Sequence, residues 1–283
     1  MEIKFKNVSF VYNPKTPFAK LALDQINVEF KKGQINGIVG KSGSGKTTLI
    51  EMIDALIIPT KGHVEVDHFT VAKDKKIKRI NDLRFQVGLV FATPEEQFFN
   101  ATVYDEISFG MRYFNYKLDH IKEHVSDALK MVGLTDKYLT RDPFTLSNGE
   151  MRKVAIASVL VFNPKVIIFD EPTIGLDDKS KNNLIKIIRT LKTRYQKTII
   201  IVTHDVDMLH KIVEYVYVMY EGKIVMEGTK YEVFKEELEL KKYGVAVPKI
   251  MAFANYVLAN KQIKLGYRDD INDLIKDVYR HVK

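Results

Sequence analysis

The first chemistry in the chain lies in Gly40, Lys41, Ser42, Gly43, Ser44, Gly45, Lys46 and Thr47, which fit the spacing of a phosphate-cradling loop at every position. Glycines let the main chain wrap close to phosphates with its N–H groups turned inward. A helix opening near Lys46 adds its positive end. Lys46 places a cation on the β- and γ-phosphates, and Thr47 offers a hydroxyl to Mg²⁺. A second group follows at Val166-Ile167-Ile168-Phe169-Asp170-Glu171, an apolar run ending in two carboxylates. Acids at the end of a buried strand are costly unless paired or bound to a cation. With a phosphate loop upstream, Asp170 suits a Mg²⁺ shell and Glu171 suits a general base acting on water.

These groups need a rigid frame, and the pattern of apolar residues supplies one. Ile35–Val39 leads into the loop, and Thr47–Leu56 leaves it with helical spacing. Val166–Phe169 and Thr198–Val202 are short continuous apolar runs, as in central strands of a parallel sheet covered on both faces. Before them, Ile3–Phe10 and Ile26–Phe30 alternate as strands; Val64–Val66 and Val87–Phe91 add two more. Gln97–Asn115, Ile121–Val132 and the stretch after Leu146 read as helices. Glu214–Tyr220 and Lys223–Met226 read as a closing hairpin, and a mostly helical tail follows, broken at Val247-Pro248. The expected class is therefore α/β with a helical insertion.

Composition narrows the rest. The chain has 283 residues, 46% hydrophobic and 28% charged, the balance of a globular protein with a real core. It has no cysteine, which excludes disulfides and thiolate metal sites. The opening residues alternate charged and apolar, so no signal peptide is expected, and no apolar run approaches the roughly 18 residues that span a bilayer. The net charge of +8 comes from dispersed lysines with one brief cluster at Lys73, Lys75, Lys76, Lys78 and Arg79. That reads as a solvated surface rather than a nucleic-acid site.

Leu146-Ser147-Asn148-Gly149-Glu150, ahead of the acidic pair, resembles the signature of ABC ATPases, usually LSGGQ. Gly175-Leu176-Asp177 is similar to the family's D-loop, His204 after the last apolar strand to its switch histidine, and Tyr12 to the aromatic that stacks on adenine. The resemblance covers about residues 1–228. It implies a P-loop NTPase (RecA-like) core at 1–91 and 161–228 with an N-terminal antiparallel β-subdomain. It also implies a helical subdomain at 92–160 and a C-terminal helical extension at 229–283 for dimer contact. ATP and Mg²⁺ are the implied ligands. Tyr12, the loop from Gly40 to Thr47 and Thr48 would bind ATP; Thr47 and Asp170 would hold Mg²⁺; Glu171 and His204 would be catalytic. Two subunits would face head to tail, with ATP between the loop of one and Ser147 and Gly149 of the other. Asp177 would lie at that interface.

Within the family, Thr93-Pro94-Glu95-Glu96-Gln97-Phe98-Phe99, Ala101-Thr102-Val103 and the stretch Asn148–Ala157 are similar to the ATPases of energy-coupling factor importers. The region Gly244–Ile250 resembles the second of their two paralogues. The resemblance implies a second ATPase subunit (paralogue or self), a transmembrane coupling protein and a substrate-binding membrane subunit as partners. It implies no nucleic acid, and places the chain on the cytoplasmic face of the membrane, driving micronutrient uptake. A partner helix could dock on the Phe98–Tyr104 stretch, with Glu95, Glu96, Asp105 and Glu106 meeting its basic residues. Phe109, Tyr113, Phe114 and Tyr116 read instead as the insertion's own core. Two residues depart from the pattern. Ala92 stands where the family has a Gln that touches Mg²⁺ and attacking water, and Asn148 and Glu150 replace Gly and Gln of the signature. Asn tolerates a left-handed turn there. A soluble non-transport ABC ATPase, or a partner with a degenerate site, are the alternative readings.

Overall fold

The computed structural model describes residues 1–114, 120–263 and 265–281. Its strands are β1 (Ile3–Tyr12), β2 (Lys20–Phe30), β3 (Ile35–Gly40), β4 (Lys61–Val66), β5 (Phe69–Val71), β6 (Val87–Val90), β7 (Val166–Asp170), β8 (Thr198–Val202), β9 (Tyr215–Tyr220) and β10 (Lys223–Thr229). They form two sheets. An antiparallel one runs β2-β1-β4-β5, and a six-stranded one runs β10-β9-β3-β8-β7-β6. In the second, β3, β6, β7, β8 and β9 are mutually parallel, and β10 closes the edge as an antiparallel hairpin.

Every residue of β3, β7 and β8 is buried, and cover on both faces explains why residues 166–169 and 199–202 are continuously apolar. Ile38, Ile168 and Ile200 face the side shared with Phe5, Phe30 and Leu49. Ile167, Phe169, Ile199 and Ile201 face the opposite side, shared with the insertion and the long helices. Tyr217 of β9 fastens the two sheets by donating its hydroxyl to the Glu29 carbonyl at 2.8 Å.

The helices are α1 (Lys46–Glu51), α2 (Ile80–Gln86), α3 (Val103–Tyr113), α4 (Ile121–Met131), α5 (Asn148–Leu160), α6 (Asp178–Thr193), α7 (Val206–Ile212), α8 (Lys230–Phe234), α9 (Glu237–Lys242), α10 (Lys249–Lys261) and α11 (Ile271–His281). Helices α3, α4 and α5 pack together through Val103, Ile107, Val125, Leu129 and Val154. Val233, Phe234, Leu240, Val245 and Met251 of the tail join the same core. A small separate cluster of Ala254, Leu265 and Leu274 holds α10 to α11.

Two expected helices are shorter than their apolar spacing suggests. The helix after the phosphate loop ends at Glu51 instead of Leu56, where the amides of Leu56 and Ile57 both turn back to the Glu51 carbonyl. The helix expected from Gln97 starts at Val103. Pro94–Gln97 is a 3₁₀ turn, and residues 98–102 are held out of the helix by Glu106. Its buried carboxylate accepts from the Phe99 amide at 3.2 Å and from the Asn100 amide at 3.0 Å. Thr102 then caps α3 by accepting from the Asp105 amide. The expected end of that helix, Asn115, lies outside the described residues.

Candidate functional site

The phosphate loop leaves the C-terminal end of β3, and α1 begins at its far side. Gly45 has φ 101°, and a Cβ there would stand 2.5 Å from the Ala22 carbonyl oxygen, so only glycine fits the turn. A Cβ at Gly43 would meet nothing within 4 Å, which leaves the mouth of the loop open. Lys46 is buried, and its ammonium donates to the Gly40 carbonyl at 2.8 Å and the Lys41 carbonyl at 3.0 Å. Burial lowers its pKa, against the pull of Glu171 and Asp170. The buried Ser44 hydroxyl oxygen has no partner. An open mouth, a desolvated cation and an orphaned hydroxyl are the chemistry of a loop built for a polyanion.

The acids come from β7. Thr47 donates its hydroxyl to Asp170 Oδ2 at 3.2 Å, which joins loop and strand. Burial raises the Asp170 pKa; the Thr47 bond opposes this and Glu171 adds to it. A carboxylate so placed gains from a cation. Among the described residues no group of three or more acidic or histidine side chains could hold a metal alone. The donor set is one hydroxyl and one carboxylate, which fits an ion that keeps waters and phosphate oxygens as its other ligands, as Mg²⁺ does.

Glu171 follows with φ 45°, a left-handed conformation uncommon outside glycine. Its own amide donates to the Val202 carbonyl at 2.7 Å, tying the turn to β8. Its carboxylate accepts from the Thr203 hydroxyl at 3.0 Å and from the His204 amide at 3.1 Å. The His204 imidazole reaches it too, Nδ1 to Oε2 at 2.9 Å, while the ring stays largely exposed. Lys46, Thr47, Asp170, Glu171 and His204 thus converge at the ends of three adjacent strands. Ligand crevices of open parallel sheets lie in that place. Thr203 is the member that sequence reasoning missed; its place next to the histidine was the available signal. Tyr12 is half-exposed on β1 and shares a hydrogen bond with Thr48 Oγ1 at 3.0 Å, which fixes its ring beside the loop.

The signature-like residues stand apart. Among the described residues no hydrogen bond or ion pair joins them to the phosphate loop. Leu146 is buried, and Ser147 caps α5. The Ser147 amide and hydroxyl both donate to Glu150 Oε2, at 3.0 and 2.6 Å, and Tyr138 donates to Oε1 at 2.6 Å. The Ser147 bonds, then the Tyr138 bond, hold the Glu150 carboxyl down at about 2. Asn148 is the first helical residue and is not left-handed, so no special turn is asked of it. Asp177 caps α6 by accepting from the Ser180 amide at 2.7 Å. A cavity of about 510 Å³ opens between the starts of α5 and α6, lined by Ser147, Gly149, Lys153, Gly175 and Asp177 among others.

The aromatic residues of the insertion divide differently from the expectation. Phe98 is buried and Tyr104 packs on the core, whereas Phe99, Phe109, Tyr113 and Phe114 are exposed. The cause is the period of α3, whose face at Val103, Ile107 and Met111 turns inward and so turns Phe109 and Tyr113 outward. Phe99 meets Phe109 edge to face at 4.8 Å, and Phe109 stacks on Tyr113 at 6.3 Å. Tyr116 lies outside the described residues. Three of the four acids assigned to a partner are already used within the chain. Glu95 pairs with Arg152 at 2.9 Å, Asp105 with Arg112 at 3.0 Å, and Glu106 is buried under Phe99. Glu96 alone of the four is exposed. Ala92 is half-buried and its carbonyl accepts from Arg152; Gln97 is exposed.

A glycine cradle with a buried lysine, facing two acids at the end of a parallel strand, defines a P-loop nucleotide triphosphatase. Comparison with known proteins makes this specific. Residues 23–174 match the ABC transporter family. The energy-coupling factor transporter ATP-binding protein EcfA2 of Clostridium perfringens is 43% identical over 251 residues, 88% of this chain and 87% of that one. The solved structure of cbiO1 from Clostridium perfringens, part of the ABC transporter complex cbiONQ, superposes with a TM-score of 0.73 at 35% identity, covering 89% of this chain and 98% of that one. A dimeric ATP-binding cassette in a post-hydrolysis state bound to ADP and Pi superposes with a TM-score of 0.70 at 28% identity, covering 80% and 98%. The chain belongs to the ABC transporter ATPase family, in its energy-coupling factor ATP-binding branch.

Proposed function

We propose that this chain is the second ATPase paralogue of an energy-coupling factor importer and hydrolyses ATP to power micronutrient uptake. The convergence of Lys46, Thr47, Asp170, Glu171 and His204 is the observation that carries the reading. The main-chain amides of the 40–47 loop cradle the phosphates, and Lys46 exchanges its two carbonyl partners for β- and γ-phosphate oxygens. Thr47 and Asp170 hold Mg²⁺, which neutralises phosphate charge when bound. Tyr12 stacks on the adenine, and Gly40 through Thr48 line the phosphates. Glu171, held by Thr203 and the His204 amide, takes the proton of the attacking water, and His204 keeps that carboxylate aimed.

The nucleotide is completed by a second ATPase subunit, with Leu146 to Glu150 and Asp177 facing the partner's ATP across a head-to-tail interface. The division into an ATPase domain at 1–228, a helical subdomain at 92–160 and an extension at 229–283 follows this reading. The exposed ladder of Phe99, Phe109 and Tyr113 supports docking of an apolar helix from a transmembrane coupling protein. No described helix is long and apolar enough to cross a membrane. Docking on that partner would hold the chain at the cytoplasmic face.

The test is phosphate release by the assembled complex. Glu171→Gln lowers it by about 100-fold or more while ATP still binds. A rate within twofold of the unaltered complex sinks the reading for this site. It would favour a second one, a partner whose own site is idle, to which Ala92 at the Gln position lends support.

A further inference from the structure

Arg152 lies in the second turn of α5 and is 3% exposed. Its guanidinium ties two other segments to α5. One nitrogen donates to the Ala92 carbonyl just beyond β6, and the other donates to Glu95 Oε1 at 2.9 Å and to the Ile174 carbonyl at 3.1 Å. Ala92 and Glu95 open the segment that leads to Phe99. Ile174 lies in the loop between Glu171 and Asp177. Arg152 itself rides on the helix capped by Ser147.

A buried charge pair is weak evidence of stability, because apolar residues of similar size hold a core as well at lower desolvation cost. This one is also incompletely satisfied, since Arg152 Nε and Glu95 Oε2 are buried without partners. A buried group left unpaired calls for a reason other than packing. The second guanidinium nitrogen is shared between Glu95 and Ile174, so a shift of the loop after Glu171 must be passed to Glu95 or break a bond.

We propose that Arg152 is a positioning residue that transmits the nucleotide state from the Glu171–Asp177 loop to the 92–102 segment, in place of the side chain absent at Ala92. This rests on the nucleotide-site reading above. Position 92 has no side-chain amide with which to sense the site, and its carbonyl is already bound to Arg152. Glu95 carries the movement into the 3₁₀ turn and so to the exposed face at Phe99.

The experiment is hydrogen exchange by mass spectrometry on the complete transporter complex, with and without the β,γ-imido analogue of ATP and Mg²⁺. In the unaltered complex the analogue protects the 40–47 amides and changes exchange of the 93–102 amides by about fivefold or more. In Arg152→Lys and in Glu95→Gln the change at 93–102 falls below about twofold, while protection at 40–47 persists. An undiminished change at 93–102 in both variants overturns the proposal, and so does an unaltered complex whose 93–102 amides ignore the analogue. Loss of the 40–47 protection in both variants overturns it as well, because Arg152 would then be a strut of the fold. Absence of that protection in the unaltered complex refutes the nucleotide-site reading itself.

Discussion

Replacing Asp54 by asparagine is expected to stabilise the chain at neutral pH and much less in acid. Asp54 lies just after α1 and is 7% exposed. Its carboxylate accepts from the Leu56 amide at 3.2 Å, but nearby Arg84 spends its own donors on the Asp54 and Ala55 carbonyls. Burial therefore dominates, and the pKa rises from 3.8 to about 6. An acid whose folded pKa exceeds its unfolded one gives stability that is present in acid and lost as pH rises through the folded value. Ionising Asp54 at pH 7.5 therefore costs about 3 kcal/mol, and about 1 kcal/mol of that cost remains at pH 4.5. Asparagine keeps the acceptor for Leu56 and carries no charge. The gain at pH 7.5 is thus expected to exceed that at pH 4.5 by about 2 kcal/mol, or about 4–8 °C in Tm. Thermal or urea unfolding of the purified chain at the two pH values measures it. A gain that is equal at both, or larger in acid, would refute the reasoning.

Three further outcomes test the site. Lys46→Ala weakens ATP binding by about 10- to 100-fold, since a charge-assisted contact is lost while its two carbonyl bonds are released; calorimetric titration reads this, and an unchanged Kd counts against the loop as the phosphate cradle. Ala92→Gln restores a side-chain amide at the end of β6 and is expected to raise phosphate release by the complex several-fold; no change would mean that another group already serves there. Phe109→Asp puts a charge in the exposed aromatic ladder and is expected to weaken co-purification with the membrane partner by about 30-fold without altering ATP binding. Retained co-purification would move the docking face elsewhere.

What was legible in the sequence is what is local. The phosphate loop carries its chemistry in one contiguous stretch, and the acids end an apolar run, so Lys46, Thr47, Asp170 and Glu171 could be read from type and spacing. The parallel sheet was legible for a similar reason, because β7 and β8 are buried on both faces and therefore uniformly apolar. Contacts between distant segments were not legible. Glu106 looks like any first-turn acid of a helix, yet it captures the Phe99 and Asn100 amides and delays α3 by six residues relative to the expected start at Gln97. The exposed aromatics were misjudged by type, because the helical period that turns Val103, Ile107 and Met111 inward turns Phe109 and Tyr113 outward. Arg152 stands beside Lys153 and looks like a solvated charge, and only the tertiary fold brings Ala92, Glu95 and Ile174 to it. The left-handed backbone of Glu171 left no trace in the residue type.

Ser147 has one hydroxyl proton, and Glu150 already holds it. Toward any newcomer at the head of α5, that oxygen is therefore a receiver and not a giver. The grip left for an anion is main-chain, from the amides of Asn148 and Gly149, and main-chain grip is indifferent to the side chain it passes through. An asparagine at 148 leaves that grip in place, because it sits in ordinary helical backbone. The charge nearest that grip belongs to Glu150, whose carboxyl the Ser147 and Tyr138 bonds keep ionised.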